Sequence, residues 1–337
     1  MLVLSCLTIL QDTLYYAALY PILTTIVKEE EVFLFLLSYA IGFIVGTLTF
    51  YKLPFSYIIM SISIASLQYK DIPYLVFFSI FLQGYSGGMN WLTLYMIPDY
   101  TKTGFALGFY HLGTIIGPFL GEYIMYLIVS NVFLFLLSLY FKHEKITNSG
   151  LVDLPKDPQI IHATILLFIQ LFMFNGMLPI IALHLDYMKV DPQKTSLYFM
   201  MPSIPNIVLS VFSGYLVDRY DQKTVILIGI FFNIGCVGFF YNELLVGMLS
   251  IAASYGWLLT TVPSLLSSDR LPTYIWYNVV IGLASATTPV MPFVYFKYRL
   301  KGVALLYLVC VLAMFLSHLV FWHRGRKPSK LKEIITV

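Results

Sequence analysis

Apolar residues run through the chain in long, nearly unbroken blocks, and the polar positions fall between the blocks rather than alternating within them. A bilayer core of about 30 Å is crossed by roughly 20 helical residues. On that measure the pattern predicts twelve helical spans, near 2–26, 32–51, 54–69, 72–97, 103–126, 127–142, 159–184, 195–216, 222–240, 243–267, 272–296 and 299–322. The third and sixth are short, and losing either would invert every later loop. Membrane barrels are excluded, because their strands alternate apolar and polar residues. The opening run MLVLSCLTIL carries no basic leader, so a spanning helix is expected there rather than a removed signal segment.

The longest polar interruption is KHEKITNSGLVDLPKDPQ, which divides the spans into two sets of six. The expected organisation is an N-terminal half at 1–141, a central cytoplasmic loop at 142–158, a C-terminal half at 159–323 and a basic cytoplasmic tail at 324–337. The halves resemble each other internally. Pro21-Ile22 near the end of the first span has a counterpart in Pro179-Ile180 near the end of the seventh, and GTLTFYKLPFSYIIMSI has one in GYLVDRYDQKTVILIGI. Parallel repeats of this kind occur in secondary transporters. Most of the 20 Lys and Arg fall after even-numbered spans or in the tail. That face is expected to be cytoplasmic, with both termini on it.

Composition supports the membrane reading and narrows the function. Of 337 residues, 59% are hydrophobic and only 11% charged, with a mean hydropathy of +0.83. So few charges cannot cover a water-soluble globule. A net charge of +3 with scattered basic residues argues against a nucleic-acid partner. Cys6, Cys236 and Cys310 lie inside apolar runs without disulfide or zinc spacing. There is no P-loop, nucleophile triad or HExxH run, so neither an enzyme nor a bound cofactor or metal is expected. The expected partners are the lipid bilayer and a small solute, the expected state a monomer, and the expected location the plasma membrane or an intracellular vesicle membrane.

Three motifs carry candidate chemistry. GTIIGPFLG places Gly113, Gly117 and Gly121 at intervals of four with Pro118 among them. Such spacing makes a smooth helix face that a neighbour can approach, and the proline permits a bend. GYLVDRYDQK supplies Gly214, Asp218, Arg219 and Lys223 beside a span end, where an Asp–Arg pair would hold one conformation closed. DTLYYAALYP puts Asp12 inside the first span, with Tyr15 and Tyr16 three and four residues on. Intramembrane acids are costly and usually functional, and an acid beside aromatic faces suits an organic cation. Neutral polar residues Asn90, Gln170, Asn175, Asn206, Thr260, Thr261 and Asn278 are further candidates to line a pathway or to bond helices together.

These motifs resemble the major facilitator superfamily, in its drug:proton antiporter and vesicular amine transporter branch. The resemblance implies twelve transmembrane helices in two six-helix halves and transport by alternating access, with Asp12 as a ligand for a substrate cation. Gly113 to Gly121 would then belong to a gate, and Asp218 with Arg219 to a cytoplasmic latch. The chain also departs from that branch. Ile80 stands where a fourth-helix arginine is usual, Asn175 and Leu259 near the places of acids in the second half, and Phe50 where the first half would have its loop acid. Glu122 replaces a motif glycine and is, with Asp12, the candidate for proton coupling. The expected function is therefore secondary transport of a small organic solute, an amine or other organic cation, in exchange for protons. Two rivals stay open: a facilitator or symporter for a neutral nutrient, and a non-transporting receptor or scaffold with this fold.

Overall fold

The computed structural model describes residues 2–19, 31–49, 53–69, 71–93, 97, 100–140, 158–265 and 271–323. The central loop at 142–157, the tail at 324–337 and position 50 lie outside the described residues. The described residues form helices and contain no strand. In the first half these are α1 (Leu2–Leu19), α2 (Val32–Leu48), α3 (Leu53–Ser66), α4 (Pro73–Trp91), α5 (Tyr100–Ile116) and α6 (Leu127–Tyr140). In the second they are α7 (Pro158–Tyr187), α8 (Pro192–Met200), α9 (Ser203–Arg219), α10 (Gln222–Phe232), α11 (Leu244–Thr261), α12 (Leu271–Thr287) and α13 (Val290–His323). Short 3₁₀ turns prolong several of them, among them Gly117–Phe119 and Gly121–Tyr126 after α5 and Asn233–Tyr241 after α10. Seven described stretches are long and apolar enough to cross a bilayer unaided; Val32–Leu48, Leu53–Tyr69 and Ile275–Thr287 are shorter apolar helices, and α4 and α5 complete the first half.

Two spans are broken near prolines, and one connection is reduced to a single residue. The eighth is interrupted between α8 and α9 at Met201-Pro202, where Pro202 and Pro205 remove backbone donors. The eleventh turns at Thr288 and Pro289 and resumes at Val290. The connection to the twelfth is then the single residue Arg299, at φ 56° and ψ −158° inside the α13 span. That backbone is strained for a side-chain-bearing residue. Its guanidinium lies 4.4 Å from the Tyr187 ring centroid, a contact that offsets part of the strain.

Helices in lipid gain little from apolar burial against each other, so close packing of small residues has to hold them. Two glycine pairs do this between α2 and α4. A Cβ at Gly42 or Gly46 would strike the carbonyls of Phe81 and Tyr85, and one at Gly84 or Gly88 those of Tyr39 and Phe43. The expected face at Gly113 and Gly117 serves α1 in the same way. A Cβ there would come within 2.8 Å of Thr13 Cβ and 2.7 Å of Ala17 Cβ. Pro118 follows at the point where α5 gives way to 3₁₀ geometry, the place where the sequence permits a bend.

Polar bonds finish the packing. In the second half Gln170 Oε1 accepts from Asn233 Nδ2 at 2.7 Å and from Ser254 Oγ at 2.9 Å. Gln170 is thus a packing residue and does not face the central cavity. His162 and His318, far apart in sequence, meet at 3.1 Å where α7 and α13 pack, and His318 Nε2 lies 2.9 Å from the Lys223 carbonyl.

Gly84→Val should destabilise the bundle by at least about 1–3 kcal/mol, as overpacking against backbone does. Gly108→Ala should be neutral, since a Cβ there meets only Ile207, at 3.9 Å. Thermal unfolding of both variants in detergent checks the contrast.

Candidate functional site

Asp12 sits in the middle of α1 with 4% of its surface exposed. Its carboxylate packs on Gly87 of α4, where a Cβ would lie 3.4 Å from both carboxylate oxygens. Asn90 and Trp91 of the same helix approach it. Among the described residues Oδ1 has no hydrogen-bond partner. Asp12 also lines the space beside it, in which no described cationic side chain lies.

That space is a cavity between the two halves. Asp12, Thr13, Tyr16, Tyr39, Phe43, Trp91 and Tyr110 form its wall in the first half. Leu171, Asn175, Tyr255, Ile281 and Ser285 form the wall in the second, and among the described residues no Lys, Arg or His lines it. The aromatic rings are mutually packed, with Tyr16 and Tyr39 centroids 4.9 Å apart and Trp91 edge-on to Tyr110 at 5.4 Å. On the opposite wall Asn175 Nδ2 donates to Ser285 Oγ at 3.0 Å. A second space, lined mostly by apolar side chains, adjoins it past Tyr16 and Tyr110 and reaches Pro118 and Phe174.

The residues expected at the site divide accordingly. Asp12, Tyr16 and Asn175 line the cavity. Tyr15 does not; its hydroxyl bonds Ser63 at 2.7 Å and Ser79 at 3.2 Å inside the first half. The reason is helical pitch. At 3.6 residues per turn, positions three and four residues on flank Asp12 from opposite sides, so only one turns to the cavity. Asn90 lies behind the carboxylate, away from the cavity. Asn278 reaches across the halves to the Gly88 carbonyl at 3.4 Å, in the packing seam. Gly121 and Glu122 belong to the 3₁₀ turn after α5, and the Glu122 side chain lies outside what is described. Sequence reasoning missed Tyr39, Phe43, Trp91, Tyr110 and Tyr255, because aromatic residues are common in every span and nothing local marks the ones that face inward.

Below the cavity the halves close on each other. Gly104 approaches the Ser210 carbonyl, Gly214 approaches the Tyr100 carbonyl, and Gly282 packs on Ile44. At this end Asp218 does not form the expected ion pair with Arg219. Asp218 Oδ2 accepts from the Thr101 backbone N–H at 3.1 Å and from the Thr101 hydroxyl. A carboxylate from one half thus caps the first turn of a helix in the other. Arg219 instead stacks on Tyr215, 4.1 Å from its centroid, and Lys223 Nζ reaches the Trp322 carbonyl at 3.4 Å.

A two-halved helical bundle with a central polar-aromatic cavity and a bonded seam defines a multi-pass membrane transporter. The family profile described as Major Facilitator Superfamily matches residues 160–335, over half of the chain, and the chain belongs to that superfamily. No curated protein sequence matches it. Among solved structures its fold is similar to the human organic anion transporter MFSD10 (TETRAN), at TM-score 0.72 and 14% identity over 94% of this chain and 98% of that one. It is also similar to FucP, a Major Facilitator Superfamily transporter in the outward conformation, at TM-score 0.67 and 12% identity over 97% of this chain and 99% of that one. A variant of the E. coli fucose:proton symporter FucP matches at 0.66 and 12% over 97% and 98%.

Removal of the cap by Asp218→Ala should cost the closed state about 0.5–2 kcal/mol, a roughly 2- to 30-fold shift toward opening at this end. Spin labels replacing Tyr140 and Tyr220, exposed at the same end of each half, should report longer distances in the variant.

Proposed function

We propose that the chain is a secondary active transporter for a small organic cation, and that it works by alternating access in exchange for protons. The observation that supports this most is that the Asp12 carboxylate, with one oxygen lacking a hydrogen-bond partner, lines an aromatic cavity in which, among the described residues, there is no cationic side chain. An aspartate at mid-membrane costs on the order of 3 kcal/mol unless something compensates it. A substrate ammonium or a proton would do so, and the two would compete for one carboxylate, which is the simplest form of exchange. Six aromatic rings line the same cavity and suit a cation desolvated from water. The adjoining apolar space would take the hydrocarbon body of such a solute. These features favour the amine-transporting branch among the superfamily's members.

In this reading the halves, 1–141 and 159–323, rock about the cavity, and the Asp218–Thr101 latch closes the cytoplasmic end. Both termini would then be cytoplasmic, with the membrane being the plasma membrane or that of an intracellular vesicle and the working unit a monomer. A second reading rests on the Asn175–Ser285 wall, whose neutral groups suit a hydroxylated solute. Asp12 would then carry only the proton of a symporter.

The test uses sealed proteoliposomes with a pH-sensitive dye inside and a panel of organic cations, sugars and amino acids outside. Proton efflux evoked by cations, and abolished in a folded Asp12→Asn variant, is the expected result. Cation binding undiminished by Asp12→Asn would remove the carboxylate from the site. Movement evoked only by neutral solutes would select the symporter.

A further inference from the structure

The seam beneath the cavity holds a titratable side chain that neither substrate reading uses. His111, in α5, is fully buried. Its Nε2 lies 3.1 Å from Ser210 Oγ in α9, and Ser210 Oγ lies 3.0 Å from the Gly256 carbonyl in α11. The chain of bonds therefore runs from the first half into two helices of the second.

Its proton positions follow from donor counting. The Gly256 carbonyl can only accept, so the single hydroxyl hydrogen of Ser210 is spent there. With that hydrogen on the Gly256 carbonyl, the Ser210 oxygen accepts from His111, which assigns neutral His111 the Nε2–H form and leaves Nδ1 as a bare base. Among the described residues Nδ1 has no partner. The titratable groups facing the ring are Tyr110 beside it, at 5.1 Å between centroids, and Tyr255 across the seam, at 6.1 Å. Neither is an anion in this apolar setting. Asn206, one turn before Ser210 on α9, packs on Gly256 and also has both polar atoms unpartnered.

We propose that His111 is a proton-coupling residue of this transporter, and that protonation at Nδ1 releases the α5–α9–α11 seam. Neutral His111 completes the inter-half bond. A proton at Nδ1 creates an imidazolium with a second donor and no facing acid, a buried charge whose cost falls when the seam opens to water. Acid thus favours opening at the Asp218 end, and alkali favours closure. Tyr110 and Tyr255 line the cavity on one side and contact His111 on the other, so a solute that moves them also acts on the seam. This inference rests on the alternating-access reading but not on the charge of the solute.

The experiment reads the Tyr140–Tyr220 spin-label distance in the full chain, without solute, from about pH 5 to about pH 8, where histidines ordinarily titrate. One proton coupled to opening changes the closed-to-open ratio by about tenfold per pH unit within its titration range. The wild type should show this. His111→Gln keeps a donor for Ser210 but takes no proton, and should stay closed with the pH response lost. Ser210→Ala breaks the seam bond and leaves the imidazole, so it should open more at every pH and still respond. Asp12→Asn should respond like the wild type. A wild-type response in folded His111→Gln would overturn the proposal. So would loss of the response in Asp12→Asn alone, which would make Asp12 the sensor and leave the cation reading intact. A purely structural histidine would give His111→Gln and Ser210→Ala one phenotype. Histidine nitrogen NMR of the wild-type protein needs no variant to fold. It should show His111 as Nε2–H at high pH and doubly protonated with the open population, and a His111 that stays neutral throughout would equally refute the assignment.

Discussion

An unpaired carboxylate at the centre of an apolar bundle is the constraint on which the other features of this protein turn. Asp12 is held on a glycine of α4, with one oxygen bonded to nothing among the described residues. A stable apolar core would not keep such a group, because an unsatisfied buried charge costs several times what a buried hydrogen bond returns. In the proposed reading its partner, a substrate cation or a proton, comes and goes. The aromatic lining then follows, since rings offer a cation a favourable face without supplying a competing positive charge.

The second requirement is that two halves meet tightly and still separate. Contacts between halves are made by small groups: Gly104 on a carbonyl, Gly214 on a carbonyl, Ser210 between His111 and Gly256, and Asp218 on the first turn of α5. Each is short-ranged, and each is replaceable by water at small net cost. Within a half the ties are different. The α2–α4 glycine pairs join two helices of the first half, and the Gln170–Asn233–Ser254 cluster joins three segments of the second, so in the proposed motion each would travel with its own half. The molecule thus separates what must be rigid from what must be reversible.

The sequence determined a good deal by itself. Span number, the two-half division, the bend at Pro118 and the helix face at Gly113 and Gly117 all follow from block length, glycine spacing and proline chemistry, which are local properties of a chain in lipid. Asp12 was legible for the same reason, as an acid where acids are expensive. Its close surroundings were not. The tertiary structure alone decided that Tyr16 faces the cavity while Tyr15 bonds Ser63, that Asp218 caps α5 rather than pairing with Arg219, and that Asn278 sits in the seam. It also joined His111 to Ser210 and His162 to His318, residues 99 and 156 positions apart. Periodicity states which residues share a helix face. It does not state which neighbour that face meets, because helix rotation and pairing are set by the packing of the whole bundle.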